Sequence, residues 1–240
     1  MSLSFLRVEY LPAIILPSLI GIYFSSKRLL LESPSLAGWC LLAIGQNLLN
    51  DYFDKDREIP VGLKGLVFLF IVSTIFGFSL FSPEEVILPL LFFVLISLYN
   101  YRVKKIPVTS ILIQVVAYIL LPFLFYSEKI IPEVIIPLAI GGSCFQLIHE
   151  IVDKEATYSL LKRNSVTVAK LLAATTLLFL VYDVISLKMF FMLPVIVFFV
   201  MVLTGLFIDP YSKRIRFIGV YSIGFLTVFV FFYLIKLGFA

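Results

Sequence analysis

Two acidic stretches interrupt a chain that is otherwise dominated by hydrocarbon. The first is Asn50-Asp51-Tyr52-Phe53-Asp54-Lys55-Asp56-Arg57-Glu58 and the second, about 100 residues later, is His149-Glu150-Ile151-Val152-Asp153-Lys154-Glu155. If a helix continues past residue 50, Asp51, Asp54 and Glu58 fall at i, i+3 and i+7 and share one face, whereas Asp56 points elsewhere. Like charges on one face repel unless a cation or solvent offsets them. Hard carboxylate oxygens at this spacing suit magnesium, above all when a diphosphate supplies the remaining ligands. A solvated charged loop explains the same residues. In the second stretch Glu150 and Asp153 stand at i and i+3, with Glu155 off that face. Together the two helix ends can hold magnesium and leave a diphosphate bridging the metals, with Asp51, Asp54, Glu58, Glu150 and Asp153 as ligands. Alternatively, the second cluster is a solvated or snorkelling group at the membrane edge.

Between the clusters lies Tyr99-Asn100-Tyr101-Arg102-Val103-Lys104-Lys105-Ile106-Pro107. Arg102 and Lys104 are candidates for phosphate contact, the guanidinium as a planar fork and the ammonium as a mobile charge; a loop that only sets topology would carry the same residues. Gln46 and Asn47 sit one turn before Asp51, where polar amides either line a cavity or hydrogen-bond between helices. Asn50 is open to metal or substrate contact or to helix bridging. His149 is the chain's single histidine, so a two-histidine zinc motif is absent, and substrate contact or ordinary packing both remain open.

The elements that must position these groups follow from composition. At 61% hydrophobic, 14% charged and a mean hydropathy of +1.10, the 240 residues cannot cover a water-soluble surface. The expectation is an all-α polytopic membrane protein forming a single integral-membrane domain over 1–240. The apolar runs are continuous, which excludes the alternating pattern of a membrane β-barrel. Polar breaks divide the chain into about nine transmembrane helices, at 11 to 27, 34 to 50, 63 to 81, 84 to 99, 107 to 126, 132 to 150, 165 to 184, 188 to 207 and 216 to 237. Of the 19 Lys and Arg residues, Lys27, Arg28, Lys129, Lys188 and Lys236 fall on one face, leaving 14 on the other. The positive-inside rule then places the N-terminus and both acidic clusters on the cytoplasmic side of a cell membrane. The first apolar run lacks a small-residue cleavage site, so it reads as a retained helix. Cys40 and Cys144 lie within spans as packing groups. The net charge of +4 belongs to loops beside anionic lipid headgroups and implies no nucleic-acid partner.

The first acidic stretch resembles the first motif of the UbiA superfamily of intramembrane prenyltransferases. Asn50, Asp51 and Asp54 match directly, and Glu58 stands at the last acidic position, where Asp is usual. Residues 99–107 are similar to the family's aromatic and basic segment, with Arg102 and Lys104 at the phosphate-facing positions. His149 to Glu155 resembles the start of the second motif. Asp153 fits its first aspartate, Thr157 stands where the second is expected, and Leu161 replaces a glycine; either Glu150 or Glu155 is placed to compensate. The resemblance implies a UbiA-like helical bundle and a magnesium-dependent transfer of an isoprenoid chain from a prenyl diphosphate to a membrane-associated acceptor. It further implies catalytic roles for Asp51, Asp54 and Asp153, and substrate contacts for Asn47, Asn50, Arg102, Lys104 and His149. The bilayer and the two substrates are then the partners. A prenyl-diphosphate hydrolase or lyase, or a catalytically weakened lipid-binding or transport protein, are the alternatives. Nothing in the sequence separates an aromatic acceptor from a lipid glycerol phosphate, a porphyrin-like ring or a sugar phosphate.

Overall fold

The computed structural model describes residues 8–25, 27–54, 62–127, 131–186 and 189–239. These residues are helical almost throughout: α1 (Pro12–Ser25), α2 (Leu29–Asp54), α3 (Gly62–Ser79), α4 (Ile87–Tyr101), α5 (Thr109–Val115), α6 (Leu121–Tyr126), α7 (Pro132–Asp153), α8 (Ala156–Leu161), α9 (Asn164–Ser186), α10 (Leu193–Ile208) and α11 (Lys213–Lys236). A π-helical turn, Val116–Leu120, joins α5 to α6, so Thr109–Tyr126 forms one rod with a widened middle.

The expectation of about nine membrane-crossing helices is corrected. Among the described residues, five helices are long and apolar enough to cross a bilayer: Gly62–Ser79, Thr109–Tyr126, Pro132–Asp153, Asn164–Ser186 and Lys213–Lys236. Three further apolar helices, Pro12–Ser25, Ile87–Tyr101 and Leu193–Ile208, have only 14, 15 and 16 residues. At 1.5 Å per residue they reach about 21 to 24 Å, short of a hydrocarbon core of about 30 Å. The 26-residue α2 fails on polarity instead, because it carries Glu32, Gln46, Asn47, Asn50, Asp51 and Asp54. The polar breaks in the sequence locate helices correctly, but a break between apolar runs does not make each run a full span. What stands is an all-α, multi-pass membrane protein whose outward faces are apolar: Leu178 and Ile185 are 74% and 72% exposed, as suits side chains that meet lipid.

The helices close into a ring. α2 packs on α3 and α4, α4 on α5 and α6, and the α5 to α6 rod on α7; α7 packs on α9, α9 on α10, α10 on α11, while α1 touches both α6 and α11. Lipid offers no hydrophobic drive for this association, so close packing and interhelical hydrogen bonds carry it. Where α2 crosses α3, a Cβ on Gly38 would lie 2.9 Å from the Gly77 carbonyl, which only glycine avoids. Trp39 is fully buried edge-on to Phe81, Phe92 and Phe125, tying α2 to α4 and α6.

Candidate functional site

The ring encloses a cavity of about 1260 Å³. Along α7 its lining runs from Asp153 to Pro137, a descent of about 24 Å at the helical rise. The deep part is apolar, with Leu16 and Ile20 of α1, Phe145 of α7, Phe198 and Phe199 of α10 and Leu226 of α11. The other part is polar and gathers Asn47, Asn50, Asn100, Lys104, Lys105, His149, Asp153, Lys154, Glu155, Lys213 and Arg216. These residues sit near the C-terminal ends of α2, α4 and α7 and the N-terminal end of α11, so four helix ends build one polar mouth.

The second acidic stretch shapes that mouth. α7 stops at Lys154, whose φ of 57° and ψ of 41° are left-handed, and the Glu150 carbonyl accepts from both the Lys154 and the Glu155 N–H. This turn swings Glu155 back toward the helix end. His149, Asp153 and Glu155 thereby offer ligand atoms that all lie within 4.8 Å of one another, a group able to coordinate a metal ion. An uninterrupted helix would have set Glu155 apart from Asp153, as its spacing suggests; the left-handed residue reverses that expectation.

Glu150 faces the other way. It is fully buried, and its two oxygens accept from Ser110 Oγ at 2.6 Å and from the Thr157 N–H at 2.7 Å. Thr157 is also buried, and its hydroxyl oxygen accepts from the Val108 N–H at 3.0 Å. Glu150 and Thr157 therefore tie the loop before α5 to the turn after α7, and neither lines the cavity.

The sequence-derived candidates divide accordingly. Asn47, Asn50, Lys104, His149 and Asp153 line the cavity. Arg102 does not; it is exposed, with its guanidinium 5.4 Å from the Tyr101 ring centre. Asp51 is buried in the last turn of α2, one turn from Asn47, and does not line the cavity. Asp54 ends the same helix, and Glu58 lies outside the described residues. Gln46 turns away and bonds α2 to α4: its Nε2 donates to Ser97 Oγ at 3.1 Å, and Asn100 Nδ2 donates to its backbone carbonyl at 3.0 Å. That network orients Asn100 at the mouth and settles Gln46 as an interhelical bridge.

Lys105, Lys154, Lys213 and Arg216 line the mouth although the sequence marks them only as loop charges. Arg216, in the first turn of α11, donates from Nη1 to Asp153 Oδ2 at 2.7 Å, and the same oxygen is 3.5 Å from His149 Nε2. In the sequence Arg216 reads only as one of the loop charges that orient the chain.

An apolar shaft with charged helix ends at its mouth, inside a membrane bundle, is a cavity suited to a small molecule with one apolar and one polar part. A solved structure of that architecture, of a UbiA homolog from Archaeoglobus fulgidus bound to Cd2+, matches the chain with a TM-score of 0.68 and 12% identity, over 94% of this chain and 96% of that one. The chain therefore has a UbiA-type fold. No protein-family model matches it, and no curated protein sequence does.

Proposed function

We propose that the protein transfers an isoprenoid chain from a prenyl diphosphate to a membrane-associated acceptor, with magnesium as cofactor. The observation that carries this reading is the two-part cavity: an apolar shaft suits a prenyl tail, and its charged mouth suits a diphosphate. The UbiA-type fold and the His149, Asp153 and Glu155 group support it.

Without the Arg216 guanidinium on Asp153, the donor set of the second cluster would fit a divalent ion. Asp153 and Glu155 supply hard oxygens, and His149 is suited to hold a metal-bound water as well as to ligate directly. Asp51, Asp54 and Glu58 are proposed as the ligands at the α2 end. Bound at such carboxylates, magnesium supplies positive charge to the diphosphate oxygens as the leaving group departs.

The remaining steps belong to the chain's own residues. Lys104, Lys105, Lys154, Lys213 and Arg216 ring the mouth and would hold the diphosphate oxygens there. Asn47, Asn50 and Asn100 add neutral polar groups. The tail would lie along Phe145, Phe198 and Leu226, away from water. The bond between C1 and oxygen breaks with its electron pair leaving on the diphosphate, and fixed cations stabilise that developing charge. A nucleophilic carbon or hydroxyl of the acceptor then bonds to C1 and loses its proton.

The cytoplasmic orientation of the mouth and a single functional domain over 1–240 belong to the same proposal. The test is turnover of labelled geranylgeranyl diphosphate in reconstituted membranes with magnesium, with and without a lipid-extract pool of acceptors, resolved by mass. A prenylated adduct supports transfer; release of diphosphate without an adduct would replace transfer by hydrolysis or elimination.

A further inference from the structure

Asp153 Oδ2 already has a cation against it. Arg216 Nη1 lies 2.7 Å away, and this ion pair joins the end of α7 to the start of α11 across 63 residues of chain. A guanidinium carries five N–H donors, stays charged throughout the accessible pH range and matches phosphate oxygens in pairs. We propose that Arg216 provides the fixed positive charge at the second acidic cluster that a second metal ion would otherwise provide, anchored by Asp153 and directing further N–H donors to the diphosphate. The inference rests on the reading that the cavity accepts a prenyl diphosphate.

Three observations converge on it. The carboxylate oxygen nearest His149 is the one that accepts from Arg216, so a metal ion on that oxygen must displace the guanidinium or sit beside a like charge. The cluster is also poor in acid. Glu150 is turned inward onto Ser110 and Thr157, and Thr157 is committed to Val108, which leaves Asp153 and Glu155 as the carboxylates that line the cavity among the described residues. Finally, the charge balance at the mouth is reversed from that of a site built to gather divalent ions. Among the described residues, five cations, Lys104, Lys105, Lys154, Lys213 and Arg216, face two carboxylates, Asp153 and Glu155, a formal excess of three positive charges. Such a mouth binds a polyanion with its own side chains, and the metal of the proposed reaction belongs to the ligands proposed at the acidic end of α2.

The test uses the full-length protein in nanodiscs, with Mn2+ counted by electron paramagnetic resonance and inorganic diphosphate binding followed by calorimetry. Wild type is expected to bind one Mn2+ per chain, and Arg216→Gln to gain a second that disappears again in Arg216→Gln combined with Asp153→Asn. Arg216→Gln should also bind diphosphate about 10- to 100-fold more weakly, the loss of one or more charge-assisted hydrogen bonds. Arg216→Lys keeps the charge without the fork and should keep the wild-type Mn2+ count, which separates loss of charge from loss of fold. Wild type binding two Mn2+, one of them lost in Asp153→Asn, overturns the proposal, as does an unchanged count and diphosphate affinity in Arg216→Gln. The Mn2+ count is taken without diphosphate. It therefore judges Arg216 even if the protein proves to bind no diphosphate, a result that would instead reject the prenyl-diphosphate reading.

Discussion

Ser110 donates its hydroxyl to Glu150 Oε1 at 2.6 Å, joining α5 to the last turns of α7 directly beneath the polar mouth. The other Glu150 oxygen accepts the Thr157 N–H, so this acidic side chain works as a buried strut. A strut and a metal ligand respond differently to loss of charge. Glu150→Gln keeps both contacts, since the amide oxygen still accepts from Thr157 and the Ser110 hydroxyl can rotate to accept from the amide. It is expected to retain magnesium-dependent turnover within about threefold, while Glu150→Ala lowers stability by about 1 to 3 kcal/mol through unpaired buried groups. Thermal melts and turnover of both variants check this, and a Glu150→Gln enzyme that loses magnesium dependence would return Glu150 to the metal site.

Thr157 gives a related prediction with the opposite chemistry. Placing aspartate there restores the residue that the motif resemblance calls for, but the position is buried and next to Glu150. A second carboxyl would meet the first away from the cavity. Thr157→Asp is expected to melt earlier and to show no gain in turnover at any magnesium concentration. Thr157→Val removes the acceptor of the Val108 N–H and should cost about 1 kcal/mol. Increased magnesium-dependent activity in Thr157→Asp would contradict the structural role.

Lys154 separates a backbone role from a charge role. Its left-handed φ of 57° is a conformation that glycine adopts without a Cβ penalty, and its side chain lines the mouth. Lys154→Gly keeps the turn that returns Glu155 to His149 and Asp153 while deleting one cation. Stability should hold or rise by a few tenths of a kcal/mol, while inorganic diphosphate binds about 3- to 10-fold more weakly. Equal affinity in calorimetry would remove Lys154 from the diphosphate-binding set.

These residues also show what a sequence can reveal here. The apolar run ending at His149 and the acids after it locate the end of α7, because helix period and polarity are local properties. The left-handed turn at Lys154 is not written in the residue type, since lysine has no special preference for it, and regular helical spacing therefore sets Glu155 off the face. Arg216 pairs with Asp153 over 63 residues, a distance at which no spacing rule operates. Gln46 and Asn47 look alike as neighbouring amides, yet rotation about α2 sends one to Ser97 and the other to the cavity. Span number failed in the same manner: breaks between runs are local, whereas the short α1, α4 and α10 depend on the bundle that surrounds them.

The acidic end of α2 carries the metal assignment if Arg216 serves the other end. Replacing Asp51 and Asp54 together by Asn keeps the size of both side chains and removes two carboxylates. The double variant should remain in the membrane and melt within a few degrees of wild type, yet lose turnover by at least about 100-fold, equivalent to about 2.7 kcal/mol of barrier. Full magnesium-dependent turnover in the double variant would reject these two residues as ligands.

The shaft offers a test of its own through Gly142, which lines the cavity on α7 opposite the π-helical turn. A Cβ at this position would run into Ile119 Cδ1, the far end of a side chain that also lines the cavity. Ile119 must then move, and because it lines the shaft the expected displacement is into it. Gly142→Ala is therefore expected to narrow the apolar part without touching the charged mouth. Inorganic diphosphate affinity should stay within twofold of wild type, while the ratio of kcat/KM for geranylgeranyl diphosphate over dimethylallyl diphosphate falls about 10-fold, the effect of roughly 1.4 kcal/mol of lost tail contacts. Donor competition followed by product mass reads the ratio directly. An unchanged ratio would place the prenyl tail elsewhere than between Gly142 and Ile119, and a parallel loss of diphosphate affinity would mean that the substitution disturbs the mouth as well.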